Sequence, residues 1–287
     1  MQSIMASITT KSSTELFPNL LLGGGGRLGG MLRRHWPHAR DLSAQSRQHR
    51  GDMLVFDPLR DPEQLREASA GRQAIICLSG VTPAHAAATG DALSLNTDLA
   101  LAAIEAAPKG ARVFVVSSAA VYGAANGPHV ETDGVAPVSA YGHAKRTMEI
   151  EALKRGAGRV CVLRIGNVAG ADAILGGWRA GMALDQMTDG RTPRRSYIGP
   201  RTLAQVIHKL CRETDIPEVI NVAAPGVIEM GALLDHAGLA WSPRAPEGPV
   251  IEEVVLDTAV LERFYTFTPQ ECTAANMVAQ WREGKHP

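Results

Sequence analysis

The sequence predicts an α/β protein with a doubly wound parallel sheet and a small C-terminal part. Three observations support this prediction: short, largely apolar runs, longer helix-compatible stretches between them, and a glycine-rich turn after the first run. A chain of 287 residues is long enough for one large domain with an appendage. The alternation of strand and helix is typical of a Rossmann-type fold.

The elements follow one another in a regular order. The first strand precedes the glycine turn, and a breaker, Pro108-Lys109-Gly110, separates the second helix from the strand after it. The apolar runs predicted as strands are 20–22, 74–78, 113–116 and 160–165, and the predicted helices are 30–36, 93–107 and 140–153. Such continuous apolar runs are typical of strands that are covered by helices on both faces.

The organisation of the chain changes near residue 168, where glycines and prolines begin to interrupt the alternation. We therefore predict a doubly wound Rossmann-type domain over 17–168 and a smaller C-terminal part over 169–287, some segments of which return to the sheet. Residues 1–16 are polar and lack the apolar core of a secretory signal, so we expect a flexible tail. No apolar stretch is long enough to span a bilayer.

Composition restricts the partners. The 29 basic residues balance 29 acidic ones, which argues against a nucleic-acid or membrane-surface partner and leaves a small-molecule substrate. The four cysteines and nine histidines show no metal-ligand spacing, so no metal site is expected. Scattered thiols are typical of a reducing compartment, and we expect a cytoplasmic protein.

A glycine motif marks the cofactor site. Gly23, Gly26 and Gly29 form GxxGxxG between the first strand and a helix, where missing side chains and the helix N-terminus suit a pyrophosphate. Arg27 and Leu28 lie inside this motif and are also predicted to contact the cofactor. Leu78 and Ser79, at the end of the next apolar strand, are predicted cofactor contacts as well. The alternative is a flexible surface loop, since isolated glycine motifs are common.

The end of the second strand bears on cofactor choice. Residues 44–48 contain Ser46 and Arg47 and no acid, which favours the 2′-phosphate of NADP(H). Asp41 would serve NAD(H) if the strand ended several residues earlier. Asp57 either accepts a hydrogen bond from the adenine amino group or is a turn aspartate before Pro58.

Tyr141 and Lys145 are four residues apart, which places a phenol and an ammonium on one helix face. The lysine charge, together with a positively charged nicotinamide ring, is expected to lower the tyrosine pKa and let the phenol exchange a proton with a carbinol oxygen. Ser118 comes at the end of a predicted strand, the edge of the sheet where α/β sites lie. Its hydroxyl can hydrogen-bond the same substrate oxygen.

The motifs GxxGxxG at 23–29, SSAAVYG at 117–123, YGHAK at 141–145 and LRIGNVAG at 163–170 together resemble the extended short-chain dehydrogenases, the NAD-dependent epimerase/dehydratase family. The resemblance implies that Ser118 and Tyr141 act on the substrate oxygen and that Lys145 binds the nicotinamide ribose and the tyrosine. It also implies a homodimer paired through the helices at 93–107 and 140–153.

The resemblance further implies a substrate site with Ala119, Asn167, Trp178 and Arg195. Asn167 matches an asparagine that meets a substrate phosphate, and Arg195 an arginine for the diphosphate of a nucleotide sugar. For Arg195 a solvated charge beside Arg194 is an equal alternative, and the Trp178 ring is as often part of a core.

Departures from the family pattern narrow the reaction. Dehydratases of the family carry an acidic pair where this chain has Ala119-Ala120, so epimerisation or reduction is expected rather than dehydration. The substrate part looks short, with Gly199-Pro200 and Thr202 in place of the usual residues. We therefore expect hydride transfer at a secondary alcohol or ketone of a sugar-like substrate, nucleotide-linked or not. The alternatives are a reductase of a small non-sugar carbonyl compound and a non-catalytic NADP-binding sensor.

Overall fold

The computed structural model describes residues 18–125 and 127–283, so the tail predicted over 1–16 lies outside the described residues. The strands are β1 (Asn19–Leu22), β2 (Leu42–Ser46), β3 (Leu54–Val55), β4 (Ala74–Cys77), β5 (Arg112–Ser118), β6 (Val160–Ile165), β7 (Asn167–Val168), β8 (Ala183–Asp185), β9 (Arg194–Arg195), β10 (Tyr197–Ile198), β11 (Val219–Val222), β12 (Ile228–Glu229), β13 (Ser242–Arg244) and β14 (Glu253–Val254). The helices are α1 (Arg27–His35), α2 (Pro62–Ser69), α3 (Pro83–Thr89), α4 (Leu95–Ala106), α5 (Ala140–Arg155), α6 (Pro200–Leu210), α7 (Met230–His236), α8 (Ala259–Glu262) and α9 (Ala274–Glu283).

The main sheet has seven parallel strands in the order β11-β6-β5-β4-β1-β2-β3. Strands β1, β4 and β6 are buried along their whole length, as their continuous apolar runs predict. The Rossmann-type α/β fold predicted from the sequence is therefore confirmed.

Two hydrophobic cores cover the two faces of this sheet. On one face, Ala103 of α4 and Met148 of α5 pack with strand residues such as Val113. On the other face, Leu32 of α1 and Ile207 of α6 pack with strand residues of opposite parity, such as Phe114. Successive strand side chains point to opposite faces, so a single apolar run supplies both cores.

The segment after residue 168 contributes to both parts of the molecule. Strand β11 pairs with β6 in the main sheet, and α6 packs against α1, so these two elements lie with the main sheet. A separate core lies between α7, α9 and the loop after β7, with Leu175, Leu233 and Trp281 among its members. Three small sheets, β10-β7, β12-β9-β14 and β13-β8, complete this C-terminal part.

Local signals explain where the two functional helices begin. Helix α1 starts at Arg27, earlier than predicted, because Gly26 is extended at the N-cap and the chain turns directly into the helix. Helix α5 starts after Ser139, whose side chain accepts a hydrogen bond from the Gly142 amide at 3.0 Å. Within the described residues, no helix is long and apolar enough to cross a membrane.

Candidate active site

The structure brings Ser118, Tyr141 and Lys145 together at the carboxyl edge of the sheet. Ser118 is the last residue of β5, and its side chain shares a hydrogen bond with Tyr141 in the first turn of α5. The Lys145 ammonium lies 5.8 Å from the centre of the Tyr141 ring. The three side chains therefore form one cluster, although they come from two elements.

A close approach of the backbone makes this cluster possible. A Cβ on Gly142 would lie 2.6 Å from the carbonyl oxygen of Ala120, so only glycine lets α5 begin so near the turn after β5. That turn is a 3₁₀ helix over Ala119–Val121, and the Ser118 hydroxyl accepts a hydrogen bond from its Ala120 amide at 3.2 Å. The contact brings Tyr141 within hydrogen-bond reach of Ser118.

Burial sets the protonation of the tyrosine. Desolvation raises the pKa of Tyr141 to about 12, and the hydrogen bond with Ser118 opposes this rise. The sequence-based expectation that Lys145 and a positively charged nicotinamide ring together lower this pKa concerns the protein with its cofactor bound, and it stays a prediction. Tyr141 is protonated at neutral pH and is ready to act as a proton donor.

Lys145 is buried and held by the strand beneath it. Its ammonium donates a hydrogen bond to the Val116 carbonyl at 2.8 Å. Burial lowers its pKa to about 8, while the nearby Cys77 and Glu149 groups oppose this decrease. An ammonium has three donors, so the bond to Val116 leaves further donor capacity for a ligand.

A buried polar network lies beneath the cluster, and the sequence reasoning missed it. Glu149, one turn after Lys145, accepts a hydrogen bond from Ser117 at 2.6 Å and two from the Arg164 guanidinium at 3.1 and 2.9 Å. Arg164 also donates to the Tyr122 hydroxyl at 3.0 Å. The signal was an arginine inside the apolar run 160–165, because a buried charge needs a partner.

The glycine motif forms one wall of a cleft of about 580 Å³. Gly23 has φ of +85°, and a Cβ there would lie 2.8 Å from the Ser79 amide nitrogen. A Cβ on Gly29 would overlap the carbonyl oxygen of Gly23. The tight turn therefore requires these glycines, and its shape fits the pyrophosphate of a dinucleotide.

Most of the predicted cofactor residues line this cleft. They are Gly23, Gly26, Ser46, Arg47, Asp57, Leu78 and Ser79. Leu28 packs against the core, Gly29 packs inside the turn, and Arg27 lines a neighbouring groove. The residues present therefore fit a dinucleotide along the carboxyl edge of the sheet.

Asp41 and Asp57, which the sequence suggested as cofactor contacts, lie at different positions relative to the cleft. Asp41 precedes β2, and its carboxylate accepts a hydrogen bond from the Trp36 indole at 2.7 Å and lies 3.3 Å from His208. It is at the opposite end of the strand from the cleft, so it is not placed to bind the ribose of a cofactor. Asp57 lines the cleft and also accepts a hydrogen bond from the Leu59 amide, as a turn aspartate does.

Arg50 is a cleft residue that the sequence reasoning missed. A Cβ on Gly25 would lie 3.5 Å from Arg50 Cδ and against the Ser46 hydroxyl, which places the arginine beside the glycine turn. The position of Arg50 four residues after Ser46 could have indicated a cofactor contact, because the loop after the second strand of such a fold commonly reaches the adenosine ribose.

The predicted substrate residues do not form one group. Asn167 lies in β7 beside Tyr197 of β10 and hydrogen-bonds its hydroxyl. Arg195 is half-buried, and its guanidinium donates to the carbonyls of Arg194 and Ile251 at 2.7 and 2.8 Å, so it is not a solvated charge. Trp178 lies in the groove beside Arg27, where its indole donates to the Ala240 carbonyl.

The positions that carry acids in family dehydratases hold methyl groups. Ala119 and Ala120 form the first part of the 3₁₀ helix next to Tyr141. Among the described residues, no group of three or more histidines, cysteines or acids is placed to hold a metal ion.

These features define a dinucleotide-binding α/β protein with a serine, tyrosine and lysine at the edge of the sheet. The sequence model of the NAD dependent epimerase/dehydratase family matches residues 20–223, and the chain belongs to this family. No curated protein sequence matches the chain.

Three of the solved structures of similar fold are of enzymes named for nucleotide sugars. TunA, an NAD-dependent NDP-hexosamine 5,6-dehydratase involved in tunicamycin biosynthesis, is 16% identical with a TM-score of 0.75, covering 94% of this chain and 97% of TunA. UDP-glucose 4-epimerase from Thermotoga maritima, with UDP-glucose, is 16% identical with a TM-score of 0.71, covering 94% and 100%. DesIV, a dTDP-glucose 4,6-dehydratase from Streptomyces venezuelae with bound NAD, is 19% identical with a TM-score of 0.70, covering 93% and 97%. At these identities the likeness shows the fold.

Proposed function

We propose that the protein transfers hydride between a nicotinamide cofactor and a secondary alcohol or ketone of a sugar-like substrate. The observation that carries this proposal is the hydrogen-bonded pair of Ser118 and Tyr141 with the Lys145 ammonium 5.8 Å from the tyrosine ring. The cofactor, when bound, supplies or accepts the hydride. The three side chains bind the substrate oxygen and exchange a proton with it.

Each of the three side chains has a distinct task. Ser118 holds the substrate oxygen by a hydrogen bond, and Tyr141 gives that oxygen a proton. The raised pKa of Tyr141 keeps the phenol protonated at rest, which suits reduction of a ketone. Lys145, anchored by the Val116 carbonyl, places a positive charge beside the phenol and stabilises the tyrosinate that proton donation leaves.

The reaction is an epimerisation or a reduction. Loss of water from a keto sugar needs an acid and a base beside the reacting carbons, and Ala119 and Ala120 supply neither. The test is to incubate the protein with reduced cofactor and a panel of keto sugars and small ketones while following nicotinamide absorbance. No oxidation of the cofactor by any ketone, with no epimerisation of a nucleotide sugar, would contradict the proposal.

NADP(H) is the preferred cofactor in this proposal. Arg47 and Arg50 follow β2 at the adenosine end of the cleft, and a guanidinium fork suits a phosphate. Fluorescence titration should show tighter binding of NADPH than of NADH, and Arg47→Ala should weaken NADPH much more than NADH. Tighter binding of NADH would overturn the preference.

The substrate is nucleotide-linked in the first form of the proposal, because Arg195 and Asn167 match the family positions for a diphosphate. A second form, reduction of a small non-sugar carbonyl compound, is favoured by the contacts of Arg195, whose guanidinium is already engaged by backbone carbonyls. A thermal-shift screen of nucleoside diphosphates and their sugars distinguishes the two, since only a bound ligand raises the melting temperature.

The third function considered, a non-catalytic NADP-binding sensor, has less support. A sensor needs the cleft but has no use for a serine, a tyrosine and a lysine held together at its edge.

We also propose a homodimer paired through α4 and α5, which pack together and expose Ile150 to solvent at 47%. Light scattering of an Ile150→Glu variant tests this proposal, and an unchanged dimer would move the interface elsewhere.

A further inference from the structure

The side chains that face α5 change from apolar to polar at the carboxyl ends of β5 and β6. Val113 and Val115 of β5 point to this face and pack in its core. Ser117 continues their alternation, and Arg164 is its register partner in β6. Both polar residues are buried, each with only 3% of its surface exposed. A polar pair therefore takes the place of apolar packing directly before Ser118 of the proposed cluster.

One carboxylate on α5 binds both members of this pair. Tyr141, Lys145 and Glu149 follow one another at four-residue spacing, so they lie along one face of the helix. The buried carboxylate of Glu149 accepts hydrogen bonds from the Ser117 hydroxyl at 2.6 Å and from the Arg164 guanidinium at 3.1 and 2.9 Å. Glu149 thereby holds one face of α5 to two neighbouring strands.

The strand residue bound by this carboxylate lies between the two strand contacts of the cluster. Val116, directly before Ser117, offers the carbonyl to which the Lys145 ammonium donates at 2.8 Å. Ser118, directly after Ser117, shares the hydrogen bond with Tyr141. A shift of Ser117 relative to α5 would therefore disturb both contacts together.

Stability alone does not account for a buried charge pair at this place. Removing two charges from water costs free energy that their attraction often repays only in part. Val115 and Val162 fill the same face of the two strands one register pair earlier, so apolar residues fit there. Hydrogen bonds between fixed donors and acceptors define one arrangement, whereas apolar packing tolerates small shifts. The polar pair therefore favours a role in positioning.

The Glu149 carboxylate also supports the charge of Lys145. Burial lowers the pKa of Lys145 to about 8, and the Cys77 and Glu149 groups oppose this decrease. Burial raises the pKa of Cys77 to about 11, so its thiol is neutral where the lysine titrates. The Tyr141 phenol is neutral there as well, since burial raises its pKa to about 12. Among the described residues around Lys145, Glu149 is therefore the one that supplies a negative charge.

We infer that Glu149 is a positioning residue of the proposed cluster. Its carboxylate fixes α5 against β5 and β6 through Ser117 and Arg164. This contact sets where Lys145 and Tyr141 lie relative to the end of β5. Glu149 is not among the residues that line the cofactor cleft, so it acts through its neighbours. The inference rests on the proposed function, because it concerns how the same cluster is held and charged.

Ser117→Ala tests the contact with the strand and leaves the pair of Glu149 and Arg164 in place. It should lower the kcat of ketone reduction by ~10–10²-fold, because a misplacement of ~1 Å can cost the larger factor. The KM and the Kd of NADPH should change little, since Ser117 does not line the cleft. Steady-state kinetics with a ketone that the wild-type protein reduces, and fluorescence titration, measure these effects.

Glu149→Gln tests the charge and keeps the size of the side chain. Without the carboxylate the pKa of Lys145 should be lower, so its charge should be lost at a lower pH. The alkaline decrease of kcat/KM should then begin at a lower pH than in the wild-type protein. NMR titration of ¹³C-labelled lysines measures the same shift without turnover, and the absence of one resonance from Lys145→Arg identifies Lys145.

Glu271→Gln is the matched control. Its carboxylate accepts hydrogen bonds from the Thr202 and Tyr265 hydroxyls, away from the cluster. This change should lower the melting temperature and leave kcat and the alkaline limit of activity as they are in the wild-type protein. A change in kcat or in the alkaline limit that merely followed lost stability would appear in this variant too, and it would count against the inference.

Two further results would overturn the inference. One is a wild-type kcat for Ser117→Ala. The other is a Glu149→Gln variant that folds but keeps the wild-type titration of Lys145. A protein that reduces no ketone and epimerises no nucleotide sugar would contradict the proposed function instead. The lysine titration would still report on Glu149, so the two failures are distinguishable.

Discussion

Lys145 and Arg195 are two cations held by backbone carbonyls, yet their surroundings differ. Lys145 is buried at the edge of the main sheet and bonds one carbonyl, that of Val116, with the Tyr141 ring nearby. Arg195 lies in a small sheet of the C-terminal part, where its guanidinium bonds the carbonyls of Arg194 and Ile251. The first cation keeps donors for chemistry, and the second uses several of its donors to hold neighbouring backbone.

The largest expected effect belongs to Tyr141. Tyr141→Phe should lower turnover by ~10²–10⁴-fold, because general acid–base groups typically contribute that much. Cofactor binding should remain nearly intact, since the lost hydroxyl acts on the substrate. Steady-state kinetics and a fluorescence titration measure the two effects.

Tyr265→Phe is the matched control, because the Tyr265 hydroxyl bonds Gln205 and Glu271 away from the cluster. Near-wild-type activity of Tyr141→Phe would show that this tyrosine takes no part in the mechanism. Lys145 would then have no tyrosinate to stabilise.

The buried network of Glu149 and Arg164 beneath Lys145 should contribute strongly to the free energy of unfolding. Glu149→Leu leaves the buried Arg164 charge without its carboxylate and should lower the free energy of unfolding by about 3–5 kcal/mol. Urea titration measures the change. Replacing both residues by leucine should recover part of the loss, and a loss below about 1 kcal/mol for Glu149→Leu would show that the network carries little energy.

The protonation of Lys145 should set the alkaline limit of activity. Its pKa is about 8, so its charge is present below that pH and is lost as the pH rises through it. The kcat/KM of ketone reduction should therefore fall above about pH 8, since this parameter reports groups of the free enzyme. Lys145→Arg should abolish that decrease in whatever activity it retains. A decrease at the same pH in Lys145→Arg would assign it to another group.

Arg195 should give the smallest effect. For a nucleotide-linked substrate, Arg195→Ala should lower kcat/KM by ~10-fold, consistent with losing a charge-assisted hydrogen bond. The melting temperature should also fall, because the guanidinium holds Ile251. A lower melting temperature with unchanged kcat/KM would assign Arg195 to structure alone and favour the small carbonyl substrate.

The contrast between the main sheet and the C-terminal part also explains which structural features could be predicted from the sequence. Continuous apolar runs predicted β1, β4 and β6, because a strand that is buried on both faces consists mainly of apolar residues. Arg164 in β6 is the exception, and its charge is paired with Glu149. Arg195 was harder to interpret, since its partners lie in the segment near Ile251, far along the chain.

Short-range spacing was enough to place Tyr141 and Lys145 on one helix and Ser118 at the end of a strand. Those relations depend on helical period and strand direction, which are local properties of a chain. The pKa of Tyr141, the pairing of Glu149 with Arg164 and the engagement of Arg195 by backbone carbonyls depended on the tertiary structure. Burial and long-range contacts decide them, and neither is set by residues that are neighbours in sequence alone.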